Sequence, residues 1–344
     1  MFPRPVAAPQ AQPWRAEPAT AACLWPRWLP GTAGTMPAAL CWRPFRLRRV
    51  SAPRRTDFAF TGLEAAAGSG TLGAQMVNDA ELRFGGMARL YGRTGLERLR
   101  AAHVLVVGVG GVGSWTVEAL ARSGVGTITM VDLDEICVSN VNRQLPALDG
   151  TIGRAKVEVL AERIRAINPA CRIFARQEFF TEDSAERLLG PTDPPVDFVV
   201  DAIDAVANKC RLIALCRARQ LPVIVCGGAG GRRDPTQIRR ADLALATHDR
   251  LLSEVRKRLR KEHGFPPVGK KFGVDCICSA EIPVFPQKDG SVCPAADAPA
   301  EPGESRRLNC DWGFGSATHV TGTFGFAAAA AVINSLAEGK HSGK

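Results

Sequence analysis

The stretch that most constrains this chain runs over residues 103–124. The apolar run HVLVVG passes directly into GVGGVG and then into SWTVEALARSG. An unbroken apolar run of that length suits a strand buried on both faces, the environment of a parallel sheet covered by helices. The glycines let the backbone turn sharply and approach phosphate oxygens, and the helix that opens after them offers amide donors and partial positive charge. Apolar residues at helical spacing then lead to Gly124 as a C-cap.

The same alternation continues downstream. TITMVD reads as a second strand, GRAKVEVLAERIRAINP as an amphipathic helix stopped by Pro169, and CRIFARQ as a third strand. VDFVVDAID follows as a fourth strand, NKCRLIALCRARQ as a helix and PVIVCGG as a fifth strand. This order predicts an α/β fold: an open, mostly parallel, Rossmann-like sheet with helices on both faces and a ligand crevice beyond the carboxyl ends of the strands. After Gly231 come a basic helix, LLSEVRKRLRKEH, a Gly-, Pro- and Cys-rich stretch over 264–311, and the uncharged run SATHVTGTFGFAAAAAVINSL. A nucleotide-binding domain over 76–245 is therefore expected, with a C-terminal extension over 246–344 that completes it. The last run has 21 residues, long enough to span a membrane. Its Gly, Thr, Ser, His and Asn content favours a helix buried against the sheet, and membrane attachment is not expected.

Residues 1–75 differ from the rest. They hold ten of the 24 prolines and four of the six tryptophans, without helical or strand periodicity, and read as a non-globular leader. Nine arginines against three acids put +6 of the net charge of +10 there, so the high overall charge does not by itself indicate a nucleic-acid-binding face. Two readings stand: an Arg-rich, acid-poor targeting peptide, or a stretch outside the native protein, which would then begin at Met76. The eleven cysteines include no Cys-x-x-Cys pair, which argues for reduced thiols in a cytoplasm and against a tetrahedral zinc site.

Gly108, Gly110 and Gly113 satisfy a G-x-G-x-x-G fingerprint, and Asp132 lies 24 residues after Gly108, where an acid would bind a ribose hydroxyl. A nicotinamide dehydrogenase is open on those residues alone. Asp132-Leu133-Asp134, then Asn140-Val141-Asn142-Arg143-Gln144, and Lys156 thirteen residues after Arg143, favour different chemistry. Cleaving ATP between its α- and β-phosphates needs cations against the phosphates and an acid for Mg²⁺, whereas hydride transfer needs neither. Arg143 and Lys156 can supply the cations, and Asp204, just past the fourth strand, the acid. Surface charge is the competing reading for each of these residues taken singly.

The combination of G-x-G-G-x-G, D-x-D, N-x-x-R-Q, the later lysine and D-x-x-D resembles the adenylating enzymes that activate ubiquitin-like and sulfur-carrier proteins. RFGGMARLYG, GGAGGRRDPTQI, GVDC and NCDWGFGSATHVTGTFGF are similar to the bacterial branch of that family that dehydrates threonylcarbamoyladenosine in tRNA, and the likeness extends from about Leu82 to Leu336. It implies ATP and Mg²⁺ as cofactors, modified tRNA as substrate and a homodimer. It also implies that Gly108, Gly110, Gly111 and Gly113 line the nucleotide site, with Asp132 on the ribose and Asp134, Asn140 and Gln144 completing the pocket. Arg143 and Lys156 would contact the phosphates, and Asp204 would hold Mg²⁺. The arginine that many members carry in their entry segment falls on Gly86, so an arginine donated by a partner subunit would be Arg83 or Arg89.

Ubiquitin-type members pass the acyl group to a thiol, and Cys276, expected in a loop beyond the nucleotide domain, is the candidate. A structural cysteine is the preferred reading, because an adenylated threonylcarbamoyl group can close on its own neighbour. Arg256, Arg258 and Arg260 on the basic helix, joined by Lys270 and Lys271, are candidate tRNA phosphate contacts, with a solvated face as the alternative. Two other functions belong to the same resemblance. Activation of a sulfur carrier lacks its Cys-x-x-Cys zinc motifs here. A nucleotide-binding scaffold for a cysteine desulfurase sulfur-acceptor partner would not need Arg143, Lys156 and Asp204.

Overall fold

A computed structural model describes residues 71–287, 289–294 and 314–339. Five strands follow the expected runs: β1 (His103–Val107), β2 (Thr127–Val131), β3 (Arg172–Arg176), β4 (Phe198–Asp201) and β5 (Val223–Cys226). With β6 (Ile238–Asp242) and β7 (Asp275–Ser279) they form one sheet in the order β3-β2-β1-β4-β5-β7-β6. Every neighbouring pair is parallel except β6 with β7. A short antiparallel pair, β8 (Val284–Pro286) and β9 (Val292–Pro294), stands outside the sheet.

Alternation along the strands feeds two cores. Val104 and Val106 of β1 join Val200, Ile224 and Ile277 on one face. There they pack on α1 (Thr71–Ala101), α2 (Gly113–Arg122), α3 (Lys156–Ile167) and α7 (Thr318–Glu338), through residues such as Leu99, Leu120, Leu160 and Phe324. Leu105, Val107 and Val199 point the other way, onto α4 (Glu182–Leu189) and α5 (Val206–Ala218). Val225, Cys276 and Cys278 meet α6 (Arg250–Glu262) on that same side. Helices thus cover both faces, as a parallel sheet requires.

The uncharged C-terminal run is α7, and 67% of its most apolar window is buried inside the protein. Its apolarity is explained by packing on α1 and α2, where Thr116 Oγ1 donates to the Gly325 carbonyl at 3.1 Å. α1 begins at Thr71, inside the stretch read as a leader; residues 1–70 lie outside the described residues. Residues on both sides of position 245 share one sheet, since β7 inserts between β5 and β6. Cys276 is accordingly not in a loop. It lies on β7 opposite Val225 of β5, with no exposure, because a small thiol fits a sheet interior as readily as an aliphatic side chain does.

Candidate functional site

The strand order reverses between β1 and β4, which opens a crevice at their carboxyl ends. The glycine turn lies there. Gly108 takes φ +86°, and a Cβ on it would come within 2.7 Å of the Ala202 carbonyl oxygen, just past β4. A Cβ on Gly113 would overlap the Gly108 carbonyl, so both positions demand glycine. The turn delivers the chain into α2, whose N-cap Val112 makes no side-chain hydrogen bond, the kind of helix start that can offer amides to an anion.

Asp132 follows β2 and anchors this turn. Its Oδ2 accepts from the Val109 amide at 2.8 Å and its Oδ1 from the Asp134 amide at 2.9 Å. Lys156, at the start of α3 and only 5% exposed, reaches Asp134 Oδ2 at 2.7 Å and stands 3.9 Å from Asp132 Oδ1. The D-x-D pair and the lysine are therefore one cluster.

The 140–144 segment passes above the turn. A Cβ on Gly111 would lie 3.6 Å from Arg143 Cγ, and one on Gly110 3.8 Å from Gln144 Nε2. Arg143 Nη1 donates to the Ser139 carbonyl at 2.7 Å and to Asn142 Oδ1 at 3.0 Å. The Arg143 carbonyl accepts from Trp115 Nε1 at 3.1 Å and Thr321 Oγ1 at 3.3 Å. Asn142 is fastened to the start of α7 through the Ser316 carbonyl and the Thr318 hydroxyl. Asn140 is buried and accepts from the Cys137 amide, which shapes the segment. Gln144 is also buried, yet its Oε1 has no hydrogen-bond partner, an acceptor left over beside the glycine turn. Asp204 is exposed between β4 and α5, and among the described residues its carboxylate makes no hydrogen bond or ion pair.

Gly108, Gly110, Gly111, Gly113, Asp132, Asp134, Arg143, Gln144 and Lys156 thus gather around one turn, with Asn140 shaping the segment above it and Asp204 beyond the neighbouring strand. Cys276 stands apart from them in β7, and its thiol is pushed up by its hydrogen bond to Cys278 and by burial. Arg256, Arg258 and Arg260 of α6 make contacts within the chain. Arg258 pairs with Glu262 at 2.6 Å, and Arg260 donates to the Pro266 carbonyl and lies over the Phe272 ring. Arg256 is half-buried against the Leu243 carbonyl.

Two elements of the site escaped the sequence reading. Arg232, 4% exposed, donates to the carbonyls of Gly228, Glu281 and His248, while Asp249 accepts from the Gly228 amide and caps α6. Together they fix the turn after β5. The second is Lys209, buried against Asp201. Its spacing with Leu212, Ile213 and Cys216, all on the inward stripe of α5, was the available signal.

Comparison with known proteins gives this arrangement a lineage. A model of the ThiF family matches residues 86–338. The chain belongs to the ThiF family. Among relatives in that family, the tRNA threonylcarbamoyladenosine dehydratase of Escherichia coli K12 is 48% identical over 263 residues, covering 76% of this chain and 96% of that protein. The dehydratase of Haemophilus influenzae is 46% identical, covering 77% and 97%. The crystal structure of the E. coli enzyme in complex with ATP superposes with a TM-score of 0.66 at 43% identity, over 76% of this chain and 97% of that one. Molybdopterin-synthase adenylyltransferase of Salmonella typhimurium matches 38% of this chain and 51% of that protein at 35% identity.

Proposed function

We propose that this ThiF-family protein is an ATP-dependent tRNA threonylcarbamoyladenosine dehydratase. The observation that carries the reading is a glycine turn at the head of a helix, with the Arg143 stem beside Gly111 and Lys156 on the Asp132–Asp134 pair that anchors the turn. Relatives bearing that name align along nearly their whole length.

The substrate carboxylate attacks the α-phosphorus of ATP and pyrophosphate leaves. The resulting acyl adenylate is closed by a neighbouring group of the same nucleoside, which releases AMP, so the net change is loss of water. The amides of the glycine turn and Arg143 are assigned to the phosphates, where preorganised donors act on developing charge. Lys156 joins them by exchanging Asp134, a 58% exposed carboxylate, for a phosphate. Gln144 Oε1 and Asp132 are assigned to the nucleoside. No group of three metal-binding side chains occurs among the described residues, so a dedicated protein cage is not the expected mode. A single free carboxylate beside a triphosphate suits Mg²⁺, which takes one or two carboxylates together with phosphates and water. Held by Asp204, Mg²⁺ would neutralise phosphate charge.

Placement in a reducing cytoplasm agrees with the eight free cysteines of the described residues. Action as a homodimer agrees with exposed Leu90 and Phe326 on α1 and α7. Arg83 is tied to Asp79 at 2.6 Å, so Arg89, exposed and with no side-chain hydrogen bond or ion pair among the described residues, is the better candidate to enter a partner's site.

The test is exchange of labelled pyrophosphate into ATP. Exchange is expected only when tRNA carrying threonylcarbamoyladenosine is added. Exchange that ignores this tRNA and responds to a sulfur-carrier protein would replace the reading with its rival.

A further inference from the structure

Asp201 ends β4 and Lys209 is the fourth residue of α5, and neither side chain has any exposure. Lys209 Nζ donates to Asp201 Oδ1 at 3.0 Å, to the Asp201 carbonyl at 3.3 Å and to the Ile203 carbonyl at 2.9 Å. Asp201 Oδ1 also accepts from the Ile203 amide at 3.1 Å, while Oδ2 has no partner. Burial pushes the Asp201 carboxyl up from its ordinary value, partly offset by Lys209. A buried pair with an unsatisfied oxygen is a poor source of stability, and apolar residues of similar volume often do as well or better.

What the pair does hold is backbone. The clamped loop has two outlets. Ala202 lies beneath the glycine turn, close enough that a Cβ on Gly108 would strike its carbonyl and one on Gly113 would lie 3.4 Å from its Cβ. Asp204 is the residue directly after the Ile203 carbonyl that Lys209 binds.

We propose that Lys209, anchored by Asp201, is a positioning residue of the nucleotide site, holding the 201–203 loop so that the floor of the glycine turn and the Asp204 carboxylate keep their places. The part concerning Asp204 rests on its proposed metal role; the part concerning the glycine turn does not.

The experiment compares the full-length protein with Lys209→Met, Lys209→Arg and the double variant Asp201→Asn/Lys209→Met. The readouts are melting temperature and ATP affinity by calorimetry, with and without Mg²⁺. Lys209→Met strands a buried carboxyl and should lose stability. The double variant removes the charges together and should recover most of the melting temperature. Its affinity for ATP should nevertheless stay about tenfold weaker, equivalent to ~1.4 kcal/mol, with a raised Mg²⁺ midpoint, because the two carbonyls have lost their donor. Lys209→Arg, which retains charge and donors, should bind ATP more tightly than the double variant.

A double variant that recovers both stability and ATP affinity would make the pair purely structural. One that does not fold would assign it to the fold itself, and either result overturns the proposal. Asp204→Asn separates the two readings. An unchanged Mg²⁺ midpoint in that variant removes the metal role, and Lys209 is then judged on Mg²⁺-free ATP affinity alone.

Discussion

Asp132→Ala tests whether the acid after β2 is first an anchor of the glycine turn. Its two oxygens accept from the Val109 and Asp134 amides at 2.8 and 2.9 Å, and its side chain is 11% exposed. Hydrogen bonds to charged groups contribute about 1.5–3 kcal/mol each, and some water can enter, so the lower value counted twice gives a loss of about 3 kcal/mol. For a folded unit of this size each kcal/mol lowers the melting temperature by about 2–4 °C, which predicts a fall of roughly 6–12 °C. Lys156 keeps its contact with Asp134, so the loss should not extend to α3. ATP affinity should fall in parallel, since Val109 lies within the turn. Scanning calorimetry and isothermal titration read the two quantities separately. An unchanged melting temperature with lost ATP binding would refute the anchoring argument and leave Asp132 a nucleotide ligand alone. Lost stability with intact binding would remove its ribose role.

Arg143→Ala should slow adenylation by orders of magnitude, about 3–4 kcal/mol in the barrier, with little change in melting temperature; the reverse pattern would make it structural. Cys276→Ala should retain most turnover, and native protein should resist alkylation at this buried thiol at neutral pH. A trapped tRNA adduct on Cys276 would overturn that expectation. Lys270→Glu with Lys271→Glu should weaken tRNA binding and lower the slope of log affinity against log salt by about 0.7–0.9 per lost contact. These lysines are exposed and make no side-chain hydrogen bond or ion pair among the described residues, whereas Arg258 and Arg260 are already engaged, so reversing Arg256, Arg258 and Arg260 should chiefly lower stability. An unchanged salt slope for the lysine pair with a reduced one for the arginines would return the tRNA contact to α6.

The parts of this protein legible in its sequence are those where one pattern has one physical solution. HVLVVG followed by glycines admits a buried strand and a tight turn, and the structure brings the Arg143 stem beside that turn and Lys156 onto the acids after β2. β7 was hidden because Asp275–Ser279 lies in Gly- and Cys-rich text, and its inward thiols do not look like a strand's apolar face. Lys209 was hidden because a lysine is ordinarily outside, and only the positions of its apolar neighbours indicate otherwise. α6 was legible as a basic helix, but whether a guanidinium caps a carbonyl, covers a ring or meets a partner depends on segments distant in sequence.

The C-terminal position of α7 has a consequence for biosynthesis. This helix packs against β5, β6 and β7 and fastens the segment carrying Arg143. At about 5–20 residues per second, the ribosome needs roughly 5–18 s to pass from the end of β5 to the start of α7. During that interval the nascent chain presents Ile224 and Ile277 without their final cover. Chaperone occupancy should therefore persist until α7 has emerged from the ribosome. A chain terminated before Thr318 should be degraded or aggregate although every residue assigned to ATP chemistry has already been made.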